Sequence, residues 1–306
     1  MTRLNNFLGS SLKDNPNILD EINSISIEVP DDLKPYLDRE SIEDDGWTQV
    51  RFQSHPEAEN YIRSWRDNGF VILENFIPDD LIESYKKDWI QHNRIEKSRP
   101  GGYPFGTPYM HVPSLMDLST YRPLQEVMKL IIGDDVGVHL NLTGWKSSRR
   151  DWHQDGYLNP VSNYDHYLAV WLALNDIHED SGPFEYVRGS HVLPIISQEK
   201  TLSRLKPHER SDPNWPKYSE RFLTPLFENI IEKANLTVEK FLPKKGDVMI
   251  WHSRLMHRGS DPVDPKLWRE SLIMHSSGIN HRPDMPKAEK NPRTGGWYFP
   301  IKESFK

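Results

Sequence analysis

The stretch Tyr167-Leu168-Ala169-Val170-Trp171-Leu172-Ala173-Leu174 is a short apolar run that ends at Asn175, and it predicts a buried strand. Further runs that favour strand lie on both sides of it, at Val136–Leu142, Phe184–Val187, Val248–Trp251 and Arg269–His275. Turn signals such as Asp180-Ser181-Gly182-Pro183 separate several of them. Many short strands without regular intervening helices predict an antiparallel sandwich or barrel of the jelly-roll kind.

Helical patterns flank these strands. Apolar spacing predicts one helix that stops at Asn68-Gly69, a second that opens at Pro78 and a third over Leu124–Ile132. A helical insertion is expected around residues 213–240, where Phe222, Leu226, Phe227, Ile230 and Ile231 fall at helical spacing. The fold class is therefore mainly β with flanking helices.

The chain has 306 residues, enough to bury a full core in one large domain. Residues 1–50 are polar and acidic with scattered prolines, so we expect an extension packed on the body. Residues 51–306 are expected to form a single domain.

Composition excludes several classes of protein. The net charge of −7 argues against general nucleic-acid binding, which needs clustered Lys and Arg. No stretch approaches the roughly 18 apolar residues of a membrane span, and no apolar signal region follows Met1, so we expect a cytoplasmic protein without membrane contact. The sequence contains no cysteine, so any metal must be held by His and carboxylate side chains.

The segment Trp152-His153-Gln154-Asp155-Gly156 carries the candidate chemistry. On a strand, alternate side chains share a face, so His153 and Asp155 are expected to project side by side and grip one metal ion. With 13 histidines and 45 acidic residues, chance alone gives about two His-x-Asp/Glu matches. The chain has three, but those at His55 and His178 lack the strand context. Only the match at His153 has that context.

A distant histidine would complete a facial triad of two His and one carboxylate, which leaves metal positions open for a bidentate co-substrate and dioxygen. The candidates are His252, His257, His275 and His281. His252 and His257 are five residues apart and would face opposite ways on a straight strand, so at most one of them points inward. Strand parity alone does not choose between them.

Arg269, at the start of a predicted inner strand, is the candidate anion-binding residue. A guanidinium inside a barrel needs an anion, and its planar fork matches the distal carboxylate of 2-oxoglutarate. The alternative is a structural salt bridge to Glu270 or Asp264.

An ordered set of motifs resembles the phytanoyl-CoA dioxygenase family, which includes ectoine hydroxylase. The resemblance covers about residues 60–280 and is carried by Asp67–Phe76, Trp152–Asp155, Val170–Leu174, Glu179–Pro183, Gly189–His191, His257–Ser260 and Arg269. Family members often write His-Gly-Ser where this chain has an inserted Arg258, whose role the sequence leaves open.

The resemblance implies a double-stranded β-helix (jelly-roll, cupin-like) core. It places iron(II) on His153, Asp155 and His257, and so selects His257 over His252. It also implies that Arg269 and Ser260 bind the distal carboxylate of 2-oxoglutarate. Two further residues are implied to line the co-substrate from neighbouring strands, Trp171 and Asn141.

Together, the residues and the resemblance predict an iron(II)- and 2-oxoglutarate-dependent dioxygenase. It would use O2 to hydroxylate a small metabolite or natural-product intermediate, releasing succinate and CO2. Candidate substrate residues at the pocket entrance are Tyr109, Arg149 and Tyr157. Two alternatives stay open: a non-catalytic, cupin-like metal- or ligand-binding protein, and a metal-dependent hydrolase or isomerase that uses the same His/Asp/His set. The sequence does not indicate the oligomeric state.

Overall fold

The structure is a computed structural model that describes residues 2–9, 16–39, 57–93 and 107–301. Residues 10–15 and 40–50 of the predicted extension, and His55, lie outside the described residues. None of the described helices combines the length and apolar character that crossing a bilayer requires.

Helices precede the main strands and also interrupt them. They are α1 (Thr2–Leu8), α2 (Pro16–Ile25), α3 (Ala58–Asn68), α4 (Asp79–Asn93), α5 (Pro113–Ser119), α6 (Arg122–Ile132), α7 (Gln198–Ser203), α8 (Pro207–Arg210) and α9 (Trp215–Lys233). The helix α3 ends at Gly69, whose φ of 81° lies in the left-handed region that glycine adopts without strain. The sequence signal at Asn68-Gly69 therefore marks this helix end correctly.

The strands are β1 (Ser26–Ile27), β2 (Phe70–Leu73), β3 (Val136–Gly144), β4 (Tyr167–Ala173), β5 (Phe184–Tyr186), β6 (Ile195–Ile196), β7 (Glu239–Phe241), β8 (Val248–His252), β9 (His257–Gly259), β10 (Ser271–Gly278), β11 (Glu289–Lys290) and β12 (Trp297–Tyr298). A large sheet has the order β11-β12-β3-β10-β4-β8-β2, and a small sheet has the order β7-β5-β9. The strands β1 and β6 form a separate antiparallel pair.

Side chains alternate across the large sheet, so it has two different faces. One face carries Val170, Leu172 and Met274 and packs with helical side chains such as Trp65 of α3. The other face carries Trp171, Met249 and Trp251 and packs against the small sheet. The ring of Phe184 in β5 lies 5.0 Å from that of Trp251, and Phe241 in β7 lies 5.6 Å from Trp171. The space between the two sheets is therefore the inside of a jelly roll.

The described part of the first 50 residues lies against this body. The side chains of Ile22 and Ile25 are buried in a cluster with α9, while Leu37 is buried beside the large sheet. The helix α9 lies within the region where an insertion is expected. The division into an extension and a single domain stays a prediction.

Strand boundaries differ from the sequence predictions at two places that affect the site. β10 begins at Ser271, so Arg269 precedes the strand, with its backbone N–H donating to Trp145 O at 3.1 Å. β8 ends at His252 and β9 starts at His257, so these two histidines are on different strands of different sheets. Strand parity therefore does not relate these two histidines.

Candidate active site

His153, Asp155 and His257 form a buried cluster in which three possible ligand atoms lie within 4.8 Å of one another. His153 Nε2 is 3.8 Å from Asp155 Oδ1, and His257 Nε2 is 3.7 Å from Asp155 Oδ2. Two imidazole nitrogens and one carboxylate converging on one point are the donor set of a facial triad, which suits iron(II).

Backbone pairing between distant segments creates this convergence. His153 and His257 exchange N–H···O bonds of 3.1 and 3.0 Å as an isolated antiparallel bridge. The N–H groups of Asp155 and Gly156 both donate to Ser253 O, at 2.9 and 2.8 Å. Asp155 has φ −89° and ψ −19° and starts a 3-10 turn, so the expected regular strand through His153 and Asp155 is not formed. The two side chains meet because the chain turns after the bridge.

The backbone also fixes the tautomer of each histidine. His153 Nδ1 lies 2.7 Å from Asp151 O, and His257 Nδ1 lies 2.9 Å from Leu255 O. Because a carbonyl can only accept, each Nδ1 carries the proton and each Nε2 presents its lone pair. Burial lowers the pKa of both rings, that of His153 well below its ordinary value. Both rings are therefore neutral ligands at neutral pH.

Asp155 is held as a carboxylate by its surroundings. Trp251 Nε1 donates to Asp155 Oδ2 at 3.1 Å from the neighbouring strand β8. Burial opposes ionisation of Asp155, but the imidazole of His257 and the guanidinium of Arg150 lower its pKa overall. The acid is thus charged and oriented before any metal binds.

The competing histidines have other partners. His252 Nε2 lies 3.0 Å from Asp38 Oδ2, and His281 lies 3.1 Å from Asp134 and stacks on His166. His275 lines the cavity beside the cluster, where its Nδ1 is hydrogen-bonded to the Tyr167 hydroxyl. Among the described residues, only His257 forms such a cluster with His153 and Asp155.

Arg269 lies in the same cavity and is 2% exposed. Its Nη1 donates a 3.1 Å hydrogen bond to Gly182 O, and its Nε has no hydrogen-bond partner among the described residues. The proposed salt-bridge alternatives are occupied elsewhere: Glu270 pairs with Lys86 at 2.7 Å, and Asp264 accepts from Lys266 N at 2.9 Å. Burial lowers the pKa of Arg269 to about 10, with no acidic neighbour to offset it. A buried guanidinium with an unused donor fits an anionic ligand.

The other residues predicted to bind the co-substrate occupy different positions. Trp171 lines the cavity, and its ring lies 5.9 Å from the Arg269 guanidinium. The Ser260 hydroxyl is buried and donates to Pro183 O at 2.8 Å. Asn141 is on the opposite, helix-packed face of β3, where its amide donates to Ser119 Oγ at 3.2 Å. Strand parity therefore turns the Asn141 side chain away from the cavity, so the structure gives no support for its predicted contact with the co-substrate.

The predicted substrate residues lie outside the cavity. Tyr109 is buried among core residues, and its hydroxyl donates to Phe299 O at 2.7 Å. Arg149 has a left-handed φ of 52°, is largely exposed and lies 3.6 Å from Asp261. Tyr157 is buried in a core cluster beside Trp215. None of these three side chains therefore lines the cavity beside the triad, and the structure gives no support for their predicted contact with the substrate.

Arg150, adjacent to Arg149, lines the cavity. Three apolar residues that form much of the cavity wall were not identified from the sequence: Phe184, Trp251 and Ile273. Arg258 also lines the cavity and forms an ion pair of 2.7 Å with Glu185. For Phe184, Trp251 and Ile273, alternation along the predicted strands was the available signal, but Arg150 lies in a loop where no periodicity applies.

The comparisons with known proteins agree with this geometry. The family model described as phytanoyl-CoA dioxygenase (PhyH) matches residues 113–263. The peroxisomal phytanoyl-CoA dioxygenase of Homo sapiens is 24% identical over 243 residues, which cover 69% of this chain and 65% of that enzyme. The chain thus spans just under two thirds of the human relative's length.

Solved structures share the fold at low identity. The 2-oxoglutarate-dependent epimerase SnoN from nogalamycin biosynthesis is 17% identical with a TM-score of 0.55, covering 81% of this chain and 93% of that one. EctD from S. alaskensis is 14% identical with a TM-score of 0.52, covering 79% and 83%. The predicted jelly-roll fold class is confirmed. The chain shares its fold with these two proteins. It is also similar to the PhyH family over residues 113–263, in agreement with the resemblance that the sequence motifs carry.

Proposed function

We propose that this protein is an iron(II)- and 2-oxoglutarate-dependent dioxygenase that hydroxylates a small metabolite or natural-product intermediate, with release of succinate and CO2. The observation that carries the proposal is that Arg269, buried without a carboxylate partner, shares one cavity with His153 and His257, the two histidines that cluster with Asp155. A metal-dependent hydrolase needs the triad but has no use for such an arginine.

The residues present fit both cofactors. Two neutral imidazoles and one carboxylate are suitable ligands for iron(II) and leave open positions for a chelating keto acid. Arg269 supplies a charge-assisted partner for the distal carboxylate of that acid, and the Trp171 ring beside it shields the pair from water. When bound, iron and 2-oxoglutarate supply the oxidising chemistry with O2, while the protein orients the substrate and limits access of water.

The test is an anaerobic titration with iron(II) and 2-oxoglutarate, monitored for the visible metal-to-ligand charge-transfer band. We expect the band only when both are present, and not in His153→Ala. Admitting O2 should convert 2-oxoglutarate to succinate. A protein that binds iron without producing the band or succinate would be the cupin-like binding protein or the hydrolase instead.

A further inference from the structure

The cavity beside the triad carries more positive charge than the proposed co-substrate needs. Its lining residues include four cations and no acid: Lys146, Arg150, Arg258 and Arg269. Arg269 faces the proposed co-substrate, and Glu185 neutralises Arg258 at 2.7 Å. Arg150 is also paired, with Glu220 at 2.9 Å. The charge of Lys146 and the unused terminal nitrogens of Arg150 remain to be explained.

The charge of Arg150 acts on two residues of the metal cluster, His153 and Asp155. After burial itself, its charge is the next largest influence that lowers the pKa of His153, and it also lowers the pKa of Asp155. Its Nε donates to Glu220 Oε1 of α9 at 2.9 Å. Its two terminal nitrogens make no hydrogen bond to any described residue, and its side chain is 30% exposed. Glu220 of α9 therefore holds Arg150 through its Nε alone. The two terminal nitrogens, the fork of the guanidinium, remain free in the cavity beside the triad.

Lys146 carries a positive charge that no carboxylate offsets within the described chain. Its Nζ donates to two backbone carbonyls, Pro265 O at 2.6 Å and Leu267 O at 2.8 Å, and lies 4.3 Å from the Trp268 ring centroid. Carbonyl groups orient an ammonium but do not cancel its charge. The cavity therefore has a positive potential that attracts anions.

Part of the cavity wall is apolar. Leu142 in β3 and Ile273 in β10 are directly paired across the strands and both line the cavity. The Leu142 residue is 47% exposed although it points to the inner face of the sheet. An exposed large apolar side chain at the wall of a cavity is the kind of surface that a ligand covers.

We propose that the substrate is an amphipathic organic acid, a carboxylate or a phosphate monoester, whose anionic group binds the free fork of Arg150 and whose apolar part contacts Leu142 and Ile273. Lys146 contributes to attracting the anion. This inference rests on the proposed function, because it assigns the substrate class of that same site. The apolar wall excludes purely polar sugars, and the charge disfavours amines.

The experiment uses four probes that differ only in the head group: hexanoate, hexyl phosphate, 1-hexanol and hexylamine. Each is titrated anaerobically into the full chain with iron(II) and 2-oxoglutarate, and binding is followed by calorimetry and by the shift of the visible band. At least one anion should bind ten-fold more tightly than hexanol, and hexylamine should bind least. Whichever of hexanoate and hexyl phosphate binds more tightly identifies the head group of the substrate as a carboxylate or a phosphate.

A pair of adjacent arginines supplies the matched control. Arg150→Gln should weaken binding of the preferred anion at least ten-fold and should still produce the visible band. Arg149→Gln, at the exposed neighbour, should change the affinity for that anion less than two-fold. Equal binding of hexanol and the anions by the wild-type protein overturns the inference, and this comparison needs no variant. A rise in the 2-oxoglutarate requirement of Arg150→Gln also overturns it, because Arg150 then serves the co-substrate. Failure of the proposed function is distinct, since then the wild-type band never forms.

Discussion

Asp38 of the N-terminal segment and His252 at the end of β8 form a buried pair, with 3.0 Å between Asp38 Oδ2 and His252 Nε2. The second oxygen of Asp38 accepts from Trp65 Nε1 at 3.1 Å. On its other side, His252 Nδ1 accepts from Arg254 N at 3.0 Å, so Nε2 carries a proton and donates it to Asp38. His252 thus anchors the N-terminal segment and is not available as a metal ligand.

The first prediction concerns the stability provided by this anchor. Asp38→Asn leaves one acceptor for two buried donors, so the free energy of unfolding should fall by about 2 kcal/mol at pH 7. Asp32→Asn, at an exposed position of the same segment, should have little effect. Urea unfolding of both variants measures the difference. Equal stability of Asp38→Asn and wild type would contradict the role of the pair.

The second prediction is the pH dependence of that difference. Burial opposes ionisation of Asp38, but His252 and Arg254 more than offset it, so the folded-state pKa is well below the ordinary value. The stabilisation is therefore fully present above the unfolded pKa of about 3.9 and is lost as pH falls through the lower folded value. The stability gap between wild type and Asp38→Asn should shrink below about pH 4. A gap that widened in acid would show the opposite sign of shift.

Local patterns predicted the elements whose signals are local. The helix end at Gly69 and the strand β4 follow from spacing within a few residues. His153 and Asp155 were expected to meet through strand alternation, but they meet because the chain turns after His153. The structural role of His252 could not be predicted, because its partner Asp38 lies 214 positions away. The conformation of the loop at Arg149 could not be predicted either. Arg149 has a positive φ and points outward, whereas Arg150 lines the cavity. Long-range contacts and left-handed backbone leave no periodic signal.

The third prediction tests the metal ligands. His153→Ala and His257→Ala should each lose most bound iron, because two remaining ligands cannot hold the facial geometry. His178→Ala, at an exposed histidine, should keep the wild-type iron content. His252→Ala should lose stability but still bind iron. The measurement is the iron content of each variant after gel filtration. If His257→Ala kept its iron and His252→Ala lost it, His252 would be the third metal ligand instead of His257.

The fourth prediction concerns Trp251, whose N–H holds Asp155 Oδ2 at 3.1 Å. Trp251→Phe keeps an aromatic ring but removes the donor, so iron affinity should fall by roughly ten-fold. Trp297→Phe, in β12 and outside the cavity lining, is the matched control. Competition with a chelator measures both affinities. Unchanged iron affinity in Trp251→Phe would mean that Asp155 is oriented by other contacts.

The fifth prediction separates co-substrate binding from metal binding at Arg269. Arg269→Lys keeps the positive charge but loses the planar fork that a bidentate pair requires. Disrupting a buried charged pair costs about 2 kcal/mol or more, so the 2-oxoglutarate concentration for half-maximal band formation should rise roughly 30-fold or more. Iron should remain bound, because His153, Asp155 and His257 are unchanged.

Arg258→Lys is the control for the same cavity, since the fork of Arg258 is already occupied by Glu185. Its 2-oxoglutarate requirement should stay within about three-fold of wild type, because the proposed co-substrate makes no use of that side chain. Iron content measured on the same samples distinguishes lost co-substrate binding from lost fold. If Arg269→Lys binds iron and produces succinate at the wild-type 2-oxoglutarate concentration, Arg269 does not bind the distal carboxylate. The main structural reason for preferring an oxygenase over a hydrolase then disappears, because the triad alone serves both chemistries.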